Sequence, residues 1–263
     1  MTSKTQTATK IQHQNKPLTT LEEKAPGVFL LTMNIDTITD ELLIQINAHL
    51  DTIEATTGPA ALITTSSLPK IYSQGIHFPV FDRPVRGMRD FLKAFTKMLG
   101  RFATVGFPTI AAINGHCFAG GTLFAMAHDF RVMRDDYGMI CMPEIDIGSP
   151  LVPVEILTVD LKIPHPAARR LIVFGEKMFP KTALDLKILD KIVPKADLVR
   201  HCVGLGKALS VKAVHREALK EMKTVLYREV YETANGYPAG SVEELEYFTR
   251  TKDRNLKELG IKP

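Results

Sequence analysis

Short apolar segments alternate with helical patterns along the chain from Val28 to about residue 195. Strand patterns occur in "GVFLLTMN", "AALITTS", "TIAAING" and "FRVMR", and a helical pattern separates each of them from the next. Parallel strands need long crossover connections, which are usually helices, whereas antiparallel strands can be joined by short turns. The alternation therefore predicts an α/β body with parallel β-structure.

Three helices are predicted within this body. The first begins after Thr39 as the N-cap, with Asp40 and Glu41 in its first turn. A second helix is predicted over about residues 88–103, and a third, apolar helix over residues 121–128. The apolar face of the first helix consists of Leu42, Leu43, Ile46, Leu50 and Ile53.

The two ends of the chain differ from this body. The first 20 residues contain no acidic residue and few apolar ones, which is typical of a disordered tail, with an organelle transit peptide as the alternative. After about residue 195 the strand patterns stop, and three helices are predicted over residues 195–210, 211–233 and 241–259, the last opening with a capping box of Ser241 and Glu244. We therefore divide the chain into a disordered or targeting tail (1–25), a core (26–195) and a helical C-terminal region (196–263).

Composition excludes several classes of protein. The net charge of +4 and the pI near 8.9 are mildly basic, which suits an anionic ligand but not the clustered basic face of a nucleic-acid-binding protein. Cys117, Cys141 and Cys202 show no C-x-x-C spacing, so we expect free thiols in a reducing compartment. No apolar run reaches the roughly 18 residues that span a bilayer, and no His/Cys/Asp cluster has metal-ligand spacing. We expect a soluble protein without a metal ion.

A pair of glycines opens the apolar helix in "AAINGHCFAGGTLFAMAHD", residues 111–129. Glycine weakens a helix, so Gly120 and Gly121 need a reason. Either the helix packs closely on a strand, or a backbone N–H is presented to an oxygen that carries negative charge. An oxyanion hole needs a second donor, and the loop "YSQGIHF" offers one, because Gly75 can turn the chain and aim the N–H of Ile76.

These segments together resemble the crotonase (enoyl-CoA hydratase/isomerase) superfamily, and within it the Δ3,Δ2-enoyl-CoA isomerases of the plant peroxisomal kind. The motifs that carry the resemblance are "PTIAAINGHCFAGGTLFAMAHDFRVM", "MPEIDIGSPLVP" and the weaker "KIYSQGIHF". The resemblance covers about residues 26–195. It implies a crotonase-like spiral of ββα units with a helical C-terminal extension, a homotrimer or hexamer built through the C-terminal helices, and an acyl-CoA substrate without a further cofactor.

The resemblance also implies a set of site residues. The two oxyanion donors correspond to the N–H groups of Ile76 and Gly120, and the catalytic carboxylate corresponds to Glu144. Relatives often carry an acidic residue where this chain has His77, which leaves open how the first loop is held. The remaining residues expected to contact the substrate are Ser73, Gly75, His77, Gly121 and Leu123.

One carboxylate of the family is missing. Superfamily members that hydrate a double bond use two carboxylates, and the position of the first is occupied here by Leu123. Moving a double bond needs only one base, so the sequence favours an isomerase of fatty acid β-oxidation over a hydratase. Met142, Pro143 and Ile145 predict an apolar setting that raises the pKa of Glu144.

Several alternatives remain open at the level of sequence. Asp146 and Glu155 are rivals of Glu144 for the role of base, and Glu155 is also the candidate second acid of a hydratase or hydrolase. A catalytically silent scaffold subunit of a larger assembly is a further alternative, which the polar N-terminal tail and the long helical C-terminus would suit. The expected location is the mitochondrial matrix or the peroxisome.

Overall fold

A computed structural model describes residues 17–236 together with residues 246, 254, 255, 257 and 258. The β-strands are β1 (Thr19–Ala25), β2 (Val28–Met33), β3 (Thr37–Ile38), β4 (Ala61–Ser66), β5 (Ile71–Ser73), β6 (Gly75–Ile76), β7 (Thr109–Ile113), β8 (His116–Phe118), β9 (Phe130–Arg134), β10 (Ile140–Cys141) and β11 (Lys191–Val193). The α-helices are α1 (Asp40–Glu54), α2 (Val85–Thr104), α3 (Gly120–Ala127), α4 (Pro153–Asp160), α5 (His165–Ile172), α6 (Pro180–Asp185), α7 (Leu198–Ser210), α8 (Arg216–Leu226) and α9 (Arg228–Gly236).

The strands form one large sheet and two small ones. The large sheet has the order β1-β2-β4-β7-β9-β11, and it is parallel except for the antiparallel pair β1 and β2. A second sheet has the order β10-β8-β5, and β3 pairs with β6. Each of the pairs β4/β5, β7/β8 and β9/β10 therefore supplies one strand to each of the two larger sheets before the chain enters a helix. This arrangement is the predicted series of ββα units.

The predicted helices of the body are confirmed. Thr39 caps α1, because its Oγ1 accepts a hydrogen bond from Leu42 N at 3.2 Å. The five apolar residues predicted for one face of α1 are all buried. The second predicted helix is α2, which begins at Val85 directly after Pro84 and therefore extends beyond the predicted 88–103. The third is α3, which begins at Gly120 itself.

The boundary of the N-terminal tail needs a correction. Residues 19–25, which the sequence analysis assigned to the tail, form β1 at the edge of the large sheet. The strand carries exposed glutamates, Glu22 and Glu23, and such charged residues are a common feature of edge strands. Because β1 is an edge strand, it tolerates charged residues, and its polar composition therefore gave no strand pattern in the sequence.

The helical C-terminal region is more divided than predicted. The segment 211–233, predicted as one helix, consists of a 3₁₀ helix (Val211–His215), α8 and α9. Tyr227 separates α8 from α9 with non-helical angles, φ −111° and ψ 35°, and Lys162 Nζ lies 3.6 Å from the centre of its ring. The helix predicted to open at Ser241 lies outside the described residues. In the part of the chain that the structure describes, none of the helices is both long and apolar enough to cross a membrane.

Candidate active site

A cavity of about 210 Å³ opens between the N-terminus of α3, the loop around β6 and the segment that follows β10. Most of its wall is apolar, and among the described residues its acidic side chains are those of Glu144 and Glu155. Its lining residues are Gln74, Ile76, Phe78, Phe81, Leu92, Ala119, Gly120, Leu123, Pro143, Glu144, Ile147, Ser149, Pro150, Leu151, Val152 and Glu155. This mixture of apolar wall and few polar groups is typical of small-molecule sites.

Gly120 lies on this cavity as the first residue of α3. An N–H group in the first turn of a helix has no acceptor within the helix, and it adds to the partial positive charge of that end. The preceding residue, Ala119, has φ 51° and ψ −128°, a conformation that costs a non-glycine residue on the order of 1 kcal/mol. The chain thus turns sharply into α3 beside the cavity.

The loop of Gly75 and Ile76 approaches Gly120 closely. Gly75 has φ +94°, and a Cβ placed on it would stand 2.8 Å from Gly120 N. A Cβ placed on Gly120 would stand 3.2 Å from Ile76 N. The two backbone N–H groups therefore belong to segments in direct contact, and both residues border the cavity. This arrangement leaves no room for a side chain at position 75 and makes a side chain at position 120 a tight fit.

The two glycines of the pair have different surroundings. A Cβ on Gly121 would stand 2.7 Å from both the Cβ and the carbonyl oxygen of Ser73, so Gly121 allows α3 to pack closely on β5. Gly121 does not line the cavity, whereas Gly120 does. Close packing therefore accounts for Gly121. Gly120 is packed less tightly and lies on the cavity, so both alternatives considered from the sequence stay open for it.

Glu144 lies on a 3₁₀ helix, Pro143–Ile147, that follows β10. Its Oε2 is inaccessible to solvent and has no hydrogen-bond partner among the described residues. Burial raises the pKa of Glu144 to about 7, because the charged form loses its hydration. The direction of this shift agrees with the predicted rise. Of the three residues predicted to cause it, Met142 is buried and Pro143 lines the cavity, but Ile145 is 55% exposed and does not contribute to the apolar wall.

The structure separates the remaining predicted residues into two groups. Leu123 is fully buried and lines the cavity, so the position of the missing carboxylate is apolar. Four residues predicted to contact the substrate lie outside the cavity lining, namely Ser73, Gly75, His77 and Gly121. Ser73 Oγ instead accepts a hydrogen bond from Gly75 N at 3.2 Å, and exposed His77 contacts Thr37 Oγ1 through Nδ1 at 3.3 Å. Since these four residues do not line the cavity, their contact with a substrate stays a prediction.

Of the two other carboxylates considered for the role of base, one lines the cavity and the other does not. Asp146 is exposed and does not line the cavity. Glu155, in the first turn of α4, is only 5% exposed and does line it. Burial raises the pKa of Glu155 to about 8, with a contribution from the charge of Glu144 and an opposing one from a hydrogen bond donated by Val152 N.

Most residues of the apolar wall were not predicted from the sequence. Phe78 and Phe81 belong to a 3₁₀ helix directly after the Gly75 loop, and Leu92 lies on α2. Leu151 and Val152 come from the connection between Glu144 and α4. The aromatic residues in "GIHFPVFD" could have indicated an apolar wall. Whether they face the cavity depends, however, on how α2 packs, and the local sequence does not determine that packing.

Comparison with known proteins identifies the family. The family model for enoyl-CoA hydratase/isomerase matches residues 23–260, and the chain belongs to this family. The protein "Enoyl-CoA delta isomerase 3" of Arabidopsis thaliana is 30% identical over 218 residues, which are 79% of this chain and 92% of that protein. "Enoyl-CoA delta isomerase 2, peroxisomal" of the same plant is 27% identical over 220 residues, with coverage of 79% and 92%.

The solved structures support the fold. The crystal structure of human mitochondrial delta3-delta2-enoyl-CoA isomerase matches with a TM-score of 0.78 at 23% identity, and the match covers 92% of this chain and 95% of that one. An enoyl-CoA hydratase/isomerase family protein from Pseudomonas syringae matches with a TM-score of 0.75 at 22% identity, covering 89% and 98%. The resemblance to the crotonase superfamily and the predicted fold are both confirmed.

Proposed function

We propose that the chain is a Δ3,Δ2-enoyl-CoA isomerase, which converts a 3-enoyl-CoA into the 2-trans-enoyl-CoA. The observation that carries the proposal is the cavity that brings Glu144 together with Ile76 and Gly120, while Leu123 occupies the position of the other family carboxylate. The names of the Arabidopsis relatives support the same choice of reaction.

The chemistry follows from these groups. The carboxylate of Glu144 takes a proton from C2 of the 3-enoyl thioester, and the electron pair of that C–H bond delocalises into a dienolate. Charge collects on the thioester oxygen, where the N–H groups of Ile76 and Gly120 stabilise it, each by about 3 kcal/mol in the transition state. A proton is then delivered to C4, the double bond moves to C2–C3, and the thioester carbonyl is restored.

The raised pKa of Glu144 suits this role. A base that holds a proton for part of the cycle works best when its pKa lies near the operating pH. The pKa of about 7 meets this condition. The apolar wall also excludes water from the dienolate, and Leu123 offers no group that would orient a water molecule for addition.

Hydration or hydrolysis of an acyl-CoA is the second candidate function. One observation favours it: Glu155 borders the same cavity as Glu144 and is a second carboxyl group. A hydratase of this family would, however, use a carboxylate at position 123, which is leucine here. We therefore rank isomerisation first.

A direct assay tests the proposal. The purified chain is given a 3-enoyl-CoA, and formation of the conjugated thioester is followed by its absorbance, with hydration of crotonyl-CoA measured in parallel. We expect isomerisation to be the faster reaction. Faster hydration would favour the second candidate. A folded protein that performs neither reaction would refute an enzymatic function and favour the scaffold alternative.

Assembly into a homotrimer or hexamer is part of the proposal. Three apolar side chains of α8, those of Met222, Val225 and Leu226, are 70%, 60% and 67% exposed, together with the smaller Ala218 in the same stripe. Burial of such a stripe against another copy would remove apolar surface from water. Light scattering at micromolar concentration should give a multiple of the 29.2 kDa chain mass, and a monomer mass would contradict this part of the proposal.

A further inference from the structure

Glu155 is a buried carboxyl group for which the described part of the chain shows a structural role for one oxygen. It stands in the first turn of α4, where Oε2 accepts a hydrogen bond from Val152 N at 2.9 Å. This contact caps the N-terminus of α4, and the side-chain oxygen of a glutamine could accept the same hydrogen bond. Capping alone therefore does not explain an ionisable group that is 5% exposed, since burying a carboxylate with so little compensation is costly.

Glu155 also borders the same cavity as Glu144. Two carboxyl groups that share a site in a low-dielectric setting do not both ionise easily, and they titrate as a pair. Burial raises the pKa of Glu144 to about 7 and that of Glu155 to about 8, and the charge of Glu144 contributes to the second. The pair therefore holds about one proton slightly above neutral pH.

Other ionisable groups lie at the margin of this pair. Around Glu144, the buried thiol of Cys141 is influenced by the charges of Glu144, Lys177 and Asp146. The helices packed on α4 are α9, α3, α2 and α5. Helix α3 has no titratable side chain, and the charged residues of the other three helices lie outside the cavity lining. Among the described residues, neither carboxyl group forms a salt bridge with a lysine or arginine.

We propose that Glu155 is a second proton-carrying residue of the isomerase, which lines the same cavity as Glu144 and exchanges the transferred proton with it. This inference rests on the proposed function. Glu144 takes the proton from C2 and becomes neutral, and the O–H of Glu155 supplies the proton that forms the new bond at C4. Glu155 is then ionised, and the proton held by Glu144 passes to it. The pair ends with the one proton with which it began.

Isotope transfer tests this exchange. In D2O the resting proton of the pair is deuterium, so in a single turnover of the wild-type chain most of the product should carry deuterium at C4. Glu155→Gln keeps the capping hydrogen bond but removes the second carrier. Its product should carry mainly the protium taken from C2, at a lower kcat. Glu229→Gln, at an exposed position of α9, is the matched control and should behave as the wild type.

The pH profile gives a second readout that a capping role would not change. The wild-type kcat should fall above a pH of about 8, where Glu155 loses its proton, and this alkaline limb should be absent from Glu155→Gln. Equal deuterium content in wild type and Glu155→Gln would overturn the inference alone. If Glu155→Gln does not fold, a wild-type profile without the alkaline limb would overturn it. A wild-type chain that does not isomerise would refute the proposed function, and the inference with it.

Discussion

Buried charges occur in two regions of this molecule, and the two regions accommodate them differently. Beyond the C-terminal end of α3, Lys223 Nζ lies 2.6 Å from Asp129 Oδ2, and a guanidinium nitrogen of Arg131 lies 2.9 Å from Asp190 Oδ2. We call these four residues the ion-pair cluster. At the N-terminal end of α3, the cavity holds the carboxyl groups of Glu144 and Glu155, and neither forms a salt bridge within the described residues.

The charges of the ion-pair cluster stabilise the fold, whereas the carboxyl groups at the cavity are suited to proton transfer. In the ion-pair cluster each buried cation has a carboxylate partner, and Lys223 Nζ also donates to Phe107 O at 2.9 Å. At the cavity, Glu144 Oε2 has no hydrogen-bond partner in the described part of the chain, and the pKa of Glu144 is raised to about 7. A carboxyl group held without a partner destabilises the fold when it ionises, but it can take and release a proton near neutral pH.

The largest expected effect is on catalysis. Glu144→Gln keeps the shape of the side chain and removes the base, so kcat should fall by about 10⁴-fold or more, the upper end of the range for general acid–base groups. Binding of acyl-CoA should change much less, because Ile76 and Gly120 contribute backbone N–H groups. The isomerisation assay measures the first effect, and calorimetric titration with a saturated acyl-CoA measures the second. Asp146→Asn, at an exposed carboxylate two residues away, should retain activity; equal losses in the two variants would show that the base is misassigned.

A substitution in the ion-pair cluster should lower the free energy of unfolding and leave catalysis unchanged. Lys223→Met leaves Asp129 without its cation, and breaking a buried pair in this way costs about 3–5 kcal/mol. We expect the free energy of unfolding in urea to fall by that amount, while the folded variant keeps its kcat. Lys220→Met, at an exposed position of the same helix, serves as the control and should change stability by less than about 0.5 kcal/mol. Equal effects of the two substitutions would remove the distinction between the two regions.

A third substitution sharpens the role of the apolar wall. Leu123→Glu restores a carboxylate at the position that family hydratases use, and it should introduce hydration of crotonyl-CoA. We expect a rate about 10²-fold above that of Leu123→Gln, which has the same length and no titratable group. If both variants hydrate crotonyl-CoA equally, the leucine does not determine the choice of reaction.

Local sequence patterns were sufficient to predict some elements of the fold and some residues of the cavity. The cap at Thr39 and the buried face of α1 depend on residues within one helix, so their spacing predicts them. The cavity residues Ile76, Gly120, Leu123 and Glu144 were predicted from motif matches, and the structure brings them together although they come from three separate segments.

Other features depend on contacts that no local pattern records. The strand β1 is a polar edge strand, and only its pairing with β2 identifies it. The positive φ of Ala119 was not predictable, because alanine has no preference for that conformation. Glu155 was considered from the sequence, but its place on the cavity depends on how α4 packs against α3.

The smallest expected effect tests most directly the claim that Glu144 is kept unpaired at a cost to stability. Because the pKa of Glu144 is raised in the folded state, its ionisation destabilises the fold, beginning at the unfolded pKa of about 4 and reaching its full size above about pH 7. The measurement is the free energy of unfolding of wild type and Glu144→Gln at pH 5 and pH 8. We expect Glu144→Gln to be the more stable protein at pH 8, by on the order of 2 kcal/mol, with a smaller difference at pH 5. A variant that is less stable than wild type at pH 8 would contradict the claim, because the carboxylate would then be stabilising the fold.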